Sequence, residues 1–132
     1  MKKRSSEQKI IVVKRRTRLE SLVRKHNTKE QADFHVTSRG EDFNDYLKEY
    51  QLYQQALTEI EETLGQLGRV QVLDREFLAN FIFAPQDIVV VVGQDGLVAN
   101  TLKYLNGQST IAINPDPERF DGVLLPFKVG DT

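Results

Sequence analysis

The tetrapeptide Gly93-Gln94-Asp95-Gly96 is the part of this sequence best suited to chemistry, because it joins the apolar run Ile88 to Val92 (IVVVV) directly to a helical pattern. Glycines in such a place let the backbone turn tightly and approach a ligand with no β-carbon in the way, and the amides of a helix start attract an anion such as phosphate. Asp95 has two chemical uses there: it can take a proton from an attacking hydroxyl, or help organise the cation that accompanies a nucleotide. Its structural use is to cap the helix that follows.

Two further polar segments leave apolar runs. Ile113 to Gly122 (INPDPERFDG) sets the amide of Asn114 beside three carboxylates, Asp116 among them, and the guanidinium of Arg119. Its two prolines stiffen it, which suits a binding loop as well as a turn with proline spacers. After Lys9 to Val13 (KIIVV) come Lys14, Arg15, Arg16, Thr17, Arg18 and Glu20. Lys14 or Arg18 can meet phosphates there, or the stretch is a solvated cationic face.

The elements that must hold these segments are legible in the periodicity. Lys9 to Val13, Ile88 to Val92 and Thr110 to Ile113 (TIAI) are short β-branched runs bounded by polar or turn residues, and Arg69 to Leu73 (RVQVL) alternates more weakly. The unbroken apolar run at Ile88 requires cover on both faces, as in the centre of a parallel sheet. Phe43, Leu47, Tyr50, Tyr53, Leu57, Ile60 and Leu64 recur at steps of three and four, predicting a helix that starts at Asp42 or Asn44 and closes at Gly65. Helices are also expected from about Asp74 to Phe83, before Ala84-Pro85, and from just after Gly96 to about Leu105, before Asn106-Gly107. Arg24 to Glu41 is polar and weakly periodic, so it reads as a mobile connection or an irregular helix. Strand and helix alternate, which predicts a three-layer α/β fold with a mostly parallel sheet and right-handed crossovers. Ligands of such sheets sit beyond the carboxyl ends of the strands, so the segments after Val13, Val92 and Ile113 are the places to look.

The 132 residues suit one domain with a core. A net charge of −1 argues against a dedicated nucleic-acid binder, although the first 29 residues hold 11 of the 18 basic side chains and only Glu7 and Glu20 as acids. No apolar run is long enough for a membrane span or a secretory signal, so a cytoplasmic location is expected. The chain has no cysteine, which removes disulfides, thiolate metal sites and thiol nucleophiles.

Together these segments resemble a known family. Gly93 to Gly96 (GQDG) is similar to the GGDG motif shared by NAD kinases, diacylglycerol kinases and phosphofructokinases. Ile113 to Phe127 (INPDPERFDGVLLPF) resembles the N-x-DPER-x-x-G-x-L run of mitochondrial-type NAD kinases, and Lys9 to Glu20 (KIIVVKRRTRLE) resembles their first strand and T-R-x-E segment. Three motifs in the right order cover nearly the whole chain. The resemblance implies the amino-terminal domain of an enzyme that uses ATP and Mg2+, or another divalent cation, to phosphorylate the 2′-hydroxyl of NAD. It implies that Asp95 activates that hydroxyl and that Gly93, Gln94 and Gly96 shape the phosphate-facing turn. Asn100, Asn114 and Asp116 would border the nucleotide or NAD, with Lys14, Thr17 and Arg18 on the nucleotide side. It also implies a homodimer for the full-length protein and a β-rich second domain, so this chain by itself is expected to be a nearly inactive fragment.

Two positions depart from the family. Gln94 stands where the motif has its second glycine, and Leu97 where a threonine usually follows. If that glycine served a positive φ, Gln94 would strain the turn, and Leu97 removes a hydroxyl from the helix start. A catalytically lapsed nucleotide-binding or interaction module is therefore the rival reading. A related kinase acting on a lipid or sugar hydroxyl is the third.

Overall fold

The apolar runs of the central strands, Ile10 to Val13 and Ile88 to Val92, leave no polar face, and the chain buries both sides of them. In the computed structural model, which describes residues 9–115 and 127–128, five strands form a wholly parallel sheet. They are β1 (Lys9–Lys14), β2 (Arg69–Asp74), β3 (Ile88–Val92), β4 (Ser109–Asn114) and β5 (Phe127–Lys128), in the spatial order β2-β1-β3-β4-β5. Val13 lies beside Leu73 on one side and Val91 on the other, and Val92 lies beside Ile113. The helices are α1 (Arg18–His26), α2 (Lys29–Ser38), α3 (Phe43–Gly65) and α4 (Asp95–Leu102).

Connection handedness places the helices. The chain moves from β1 outward to β2 through α3, then back across β1 to β3, and onward to β4 through α4. Right-handed crossovers running in opposite directions put α3 and α4 on opposite faces, which makes three layers. The core agrees: Ile11, Val13, Val89 and Val91 pack with Leu78, Phe83, Leu97 and Val98, all from the returning connection or α4. The alternate residues Ile10, Val12, Val90 and Val92 are equally buried, as are Ala56, Leu57, Ile60 and Leu64 on the later turns of α3.

The chain divides into two compact units: the sheet, with the residues up to Arg15 and from Ala56 onward, and the segment Arg16–Gln55. The second unit contains the polar stretch Arg24 to Glu41, expected to be a mobile connection or an irregular helix; it holds the end of α1 and all of α2, both regular helices. Thr17 and Thr28 are their N-caps, and Asn27 ends α1 at φ 73°. Leu19, Ala32, Val36 and Phe43 give this unit a small core, with Leu22, Val23, Tyr46, Leu47 and Tyr50 packed against it. α1 is amphipathic, whereas α2 has almost no apolar periodicity and rests on its cap and on Ala32 and Val36.

Two other expectations shift. The helix expected over Asp74 to Phe83 is a 3-10 helix, Arg75–Asn80, started by Asp74, whose carboxylate accepts the amide of Glu76 at 2.9 Å. It buries only Leu78, too little to hold an α-helix of useful length. The last helix begins at Asp95, not after Gly96, and ends at Leu102 because Tyr104 and Leu105 already bond to carbonyls three residues back. The long helix stands as expected, with the Asp42 carboxylate accepting the amide of Asn44 at 3.0 Å and Gly65 as its last residue.

Candidate functional site

The sheet reverses its winding between β1 and β3, and in such sheets the crevice beyond the carboxyl ends at that point is where ligands bind. Three sequence-derived segments belong to this end: Lys14 closes β1, Gly93 to Gly96 leave β3, and Asn114 closes β4.

Gly93 continues the last rung of the ladder, its amide donating to the Ile113 carbonyl at 3.1 Å. A β-carbon at Gly93 would come within 2.7 Å of Leu97 Cδ2 and 3.3 Å of Leu97 Cβ. Glycine is therefore demanded by the close approach of the first turn of α4, not by a special φ. Gln94 is the N-cap of α4 at φ −102° and ψ −176°, extended backbone open to any residue, so the strain expected for glutamine here does not arise. Its carbonyl accepts the amides of Leu97 (3.0 Å) and Val98 (3.1 Å), while its side chain makes no capping bond.

Asp95 is the first residue of α4, and the cap position belongs to Gln94. Gly96 behaves unlike Gly93. It is exposed, has no positive φ, and an added β-carbon would meet nothing within 4 Å. Among the described residues nothing in the packing calls for glycine there. Asn100 is half-buried on the next turn of α4, and the Thr101 hydroxyl, fully buried, bonds the Leu97 carbonyl at 2.7 Å.

Lys14 is held by a partner the sequence reading had not paired with it. Its Nζ lies 3.5 Å from Asp74 Oδ2, and both side chains are mostly buried. Lys14 and Asp74 are register partners at the ends of β1 and β2, so the pairing follows from the strand alignment itself. The clue in the sequence is an aspartate directly after an alternating strand. Asn114 is 5% exposed and is the register partner of Lys128 in β5. Asp116 lies outside the described residues.

Thr17 and Arg18 belong to the other unit, where each has structural work. Thr17 is fully buried and forms a capping box: its hydroxyl oxygen accepts the Glu20 amide at 3.3 Å, and its own amide donates to Glu20 Oε1 at 2.8 Å. Arg18 donates from Nε to Glu49 Oε1 at 3.0 Å and from Nη2 to Asp45 Oδ2 at 2.9 Å, with its guanidinium 4.3 Å above the Tyr46 ring. Two carboxylates and an aromatic face already use its donors and its charge.

Among the described residues no group of three or more histidines and carboxylates is arranged to hold a metal, and no helix is long and apolar enough to cross a membrane. Fold and site together define a parallel α/β protein with a glycine-flanked turn at its switch point. Comparison of the sequence with protein-family models and with characterised proteins returns no match.

Proposed function

We propose that this chain is the nucleotide-binding α/β domain of a cytoplasmic NAD kinase, which transfers the γ-phosphoryl group of ATP to the 2′-hydroxyl of NAD. The observation that carries the reading is the position of the GQDG turn. It stands at the carboxyl end of β3, beside the switch point, with Lys14 at the end of the neighbouring strand. In this reading the amides at the start of α4 receive phosphate oxygens, and the open side of Gly96 lets them come close. Asp95 accepts the proton of the attacking hydroxyl, and Asn100 and Asn114 border the substrate. Lys14 supplies positive charge once phosphate competes with Asp74 for it.

Phosphoryl transfer of this kind is mainly positioning and charge stabilisation. The accompanying Mg2+ would be bound largely by the phosphates, with Asp95, in the turn itself, as the carboxylate that would assist. A homodimer, with no nucleic-acid or membrane partner, accompanies this reading.

The test is NADP formation by the intact gene product from ATP, Mg2+ and NAD. Asp95→Asn should lower turnover by roughly 10²–10⁴-fold, the range of a lost general base, while nucleotide binding persists. Absence of NADP from the unaltered protein, with a diacylglycerol or sugar phosphorylated instead, would replace NAD as the substrate.

One observation favours a second reading, a lapsed kinase kept for nucleotide binding. Leu97 is buried against Gly93 where the related motif offers a hydroxyl. Firm nucleotide binding with no NADP formed, unchanged in Gln94→Gly and Leu97→Thr, would select it.

A further inference from the structure

His26, at the end of α1, and His35, on α2, face each other with ring centroids 4.4 Å apart and planes tilted by 33°. Arg39 Nη1 lies 3.2 Å from His35 Nε2. A guanidinium can only donate, so this nitrogen must accept and the His35 ring must be neutral, with its proton on Nδ1. His26 Nε2 is shielded from solvent and has no hydrogen-bond partner among the described residues. A proton placed on it would meet no acceptor. The two helices pack on each other directly, and the rings lie in a depression lined also by Glu30, Gln31, Phe34 and Ser38.

We propose that His35, stacked on His26, is an acid-sensitive latch between α1 and α2, closed while the His35 ring is neutral and released when it is protonated.

The charges around the pair set the direction. Desolvation of the ring, then His26, Arg39 and Lys25, hold His35 below the ordinary histidine value, with Glu41 pulling the other way. Glu41 is itself engaged, accepting from Arg39 Nη2 at 3.4 Å and from the Tyr46 hydroxyl at 2.8 Å. Glu30, in the same depression, is the remaining acidic neighbour. Protonation of His35 costs the Arg39 bond and sets a cation against a guanidinium. Because the folded value of His35 lies below the ~6.5 of an unfolded chain, the unfolded segment takes up protons first. The stability that the neutral His35 ring contributes is therefore complete above about pH 6.5 and is lost as the pH falls below it.

Hydrogen exchange followed by NMR on this chain, with intrinsic exchange rates corrected at each pH, tests the latch. Between pH 7.5 and pH 5, protection of the α1 and α2 amides should fall severalfold while that of Val89 to Val92 stays constant, and the His35 Cε1 resonance should titrate over the same interval. His35→Phe keeps an aromatic ring in the stack without a titratable proton, and it should remove most of that pH dependence. His35→Gln, neutral and polar, should act alike, and serves if the first variant does not fold. Loss of protection in α1 and α2 that merely parallels the sheet, or that persists in both His35 variants, would overturn the proposal.

Discussion

The sheet and the Arg16–Gln55 segment are held together by different physics. Around β1 and β3 the chain buries residue after residue, with Ile11, Val12, Val13 and Val89 to Val92 all at 0% exposure. In the other unit four buried residues form the core, and the remaining order comes from the Thr17 and Thr28 caps, the Arg18 ion pairs and the two histidines. Burial of apolar area is non-directional and insensitive to pH, whereas caps and charge pairs are local and titratable. The lesson is one of division: the part that carries the candidate site rests on a buried apolar core, and the part beside it in sequence leans more on caps and charge pairs.

The strongest way to break that contrast is to hollow the sheet. Ile11→Ala should cost about 2–5 kcal/mol in urea unfolding, the range for a fully buried aliphatic truncated in a packed core. Gly93→Ala comes next, at about 1–3 kcal/mol, because its methyl group would overlap Leu97. Combining it with Leu97→Ala should cost less than the two single changes summed, and a strictly additive double variant would mean that the contact is not the cause. Thr17→Ala should cost about 0.5–2 kcal/mol by loss of the capping box, read as faster amide exchange in α1 with β3 unaffected. Arg18→Met should cost about 1 kcal/mol: the Asp45 pair is solvent-screened, while Glu49, its side chain 6% exposed, loses this partner. Gly96→Ala sharpens the comparison at the smallest scale, with a stability change within about 0.5 kcal/mol. Its effect should appear in nucleotide affinity instead, which is what separates a ligand-facing glycine from a packing glycine.

How much of this could be read from the sequence follows the same division. Continuous β-branched runs have few alternative structures, so β3 was read to its boundaries and β1 to within one residue. The stripe from Phe43 to Leu64 gave α3 for a similar reason. Of the two capped helices, α2 has almost no apolar periodicity and its start lies in one residue, Thr28, while α1 is amphipathic but only nine residues long, so its charged first residues read equally as a polar connection. At the candidate site, the turn and its place on the sheet were legible, since both depend on local order and strand direction. The Lys14–Asp74 pair was not, because it depends on the register of strands 60 residues apart in the chain. The difference between the two glycines was equally hidden: only the position of Leu97 shows that a β-carbon is crowded at Gly93 and meets no described residue at Gly96.

The central claim is that nucleotide phosphate is received where β3 passes into α4. The direct measurement is an amide chemical-shift titration of this chain with NAD and, separately, with Mg-ADP. The account predicts shifts concentrated at Gly93 to Leu97, with Lys14 and Asn114 responding next and the α1 and α2 amides little changed. Shifts centred in residues 16–55, or none at millimolar nucleotide, would contradict it.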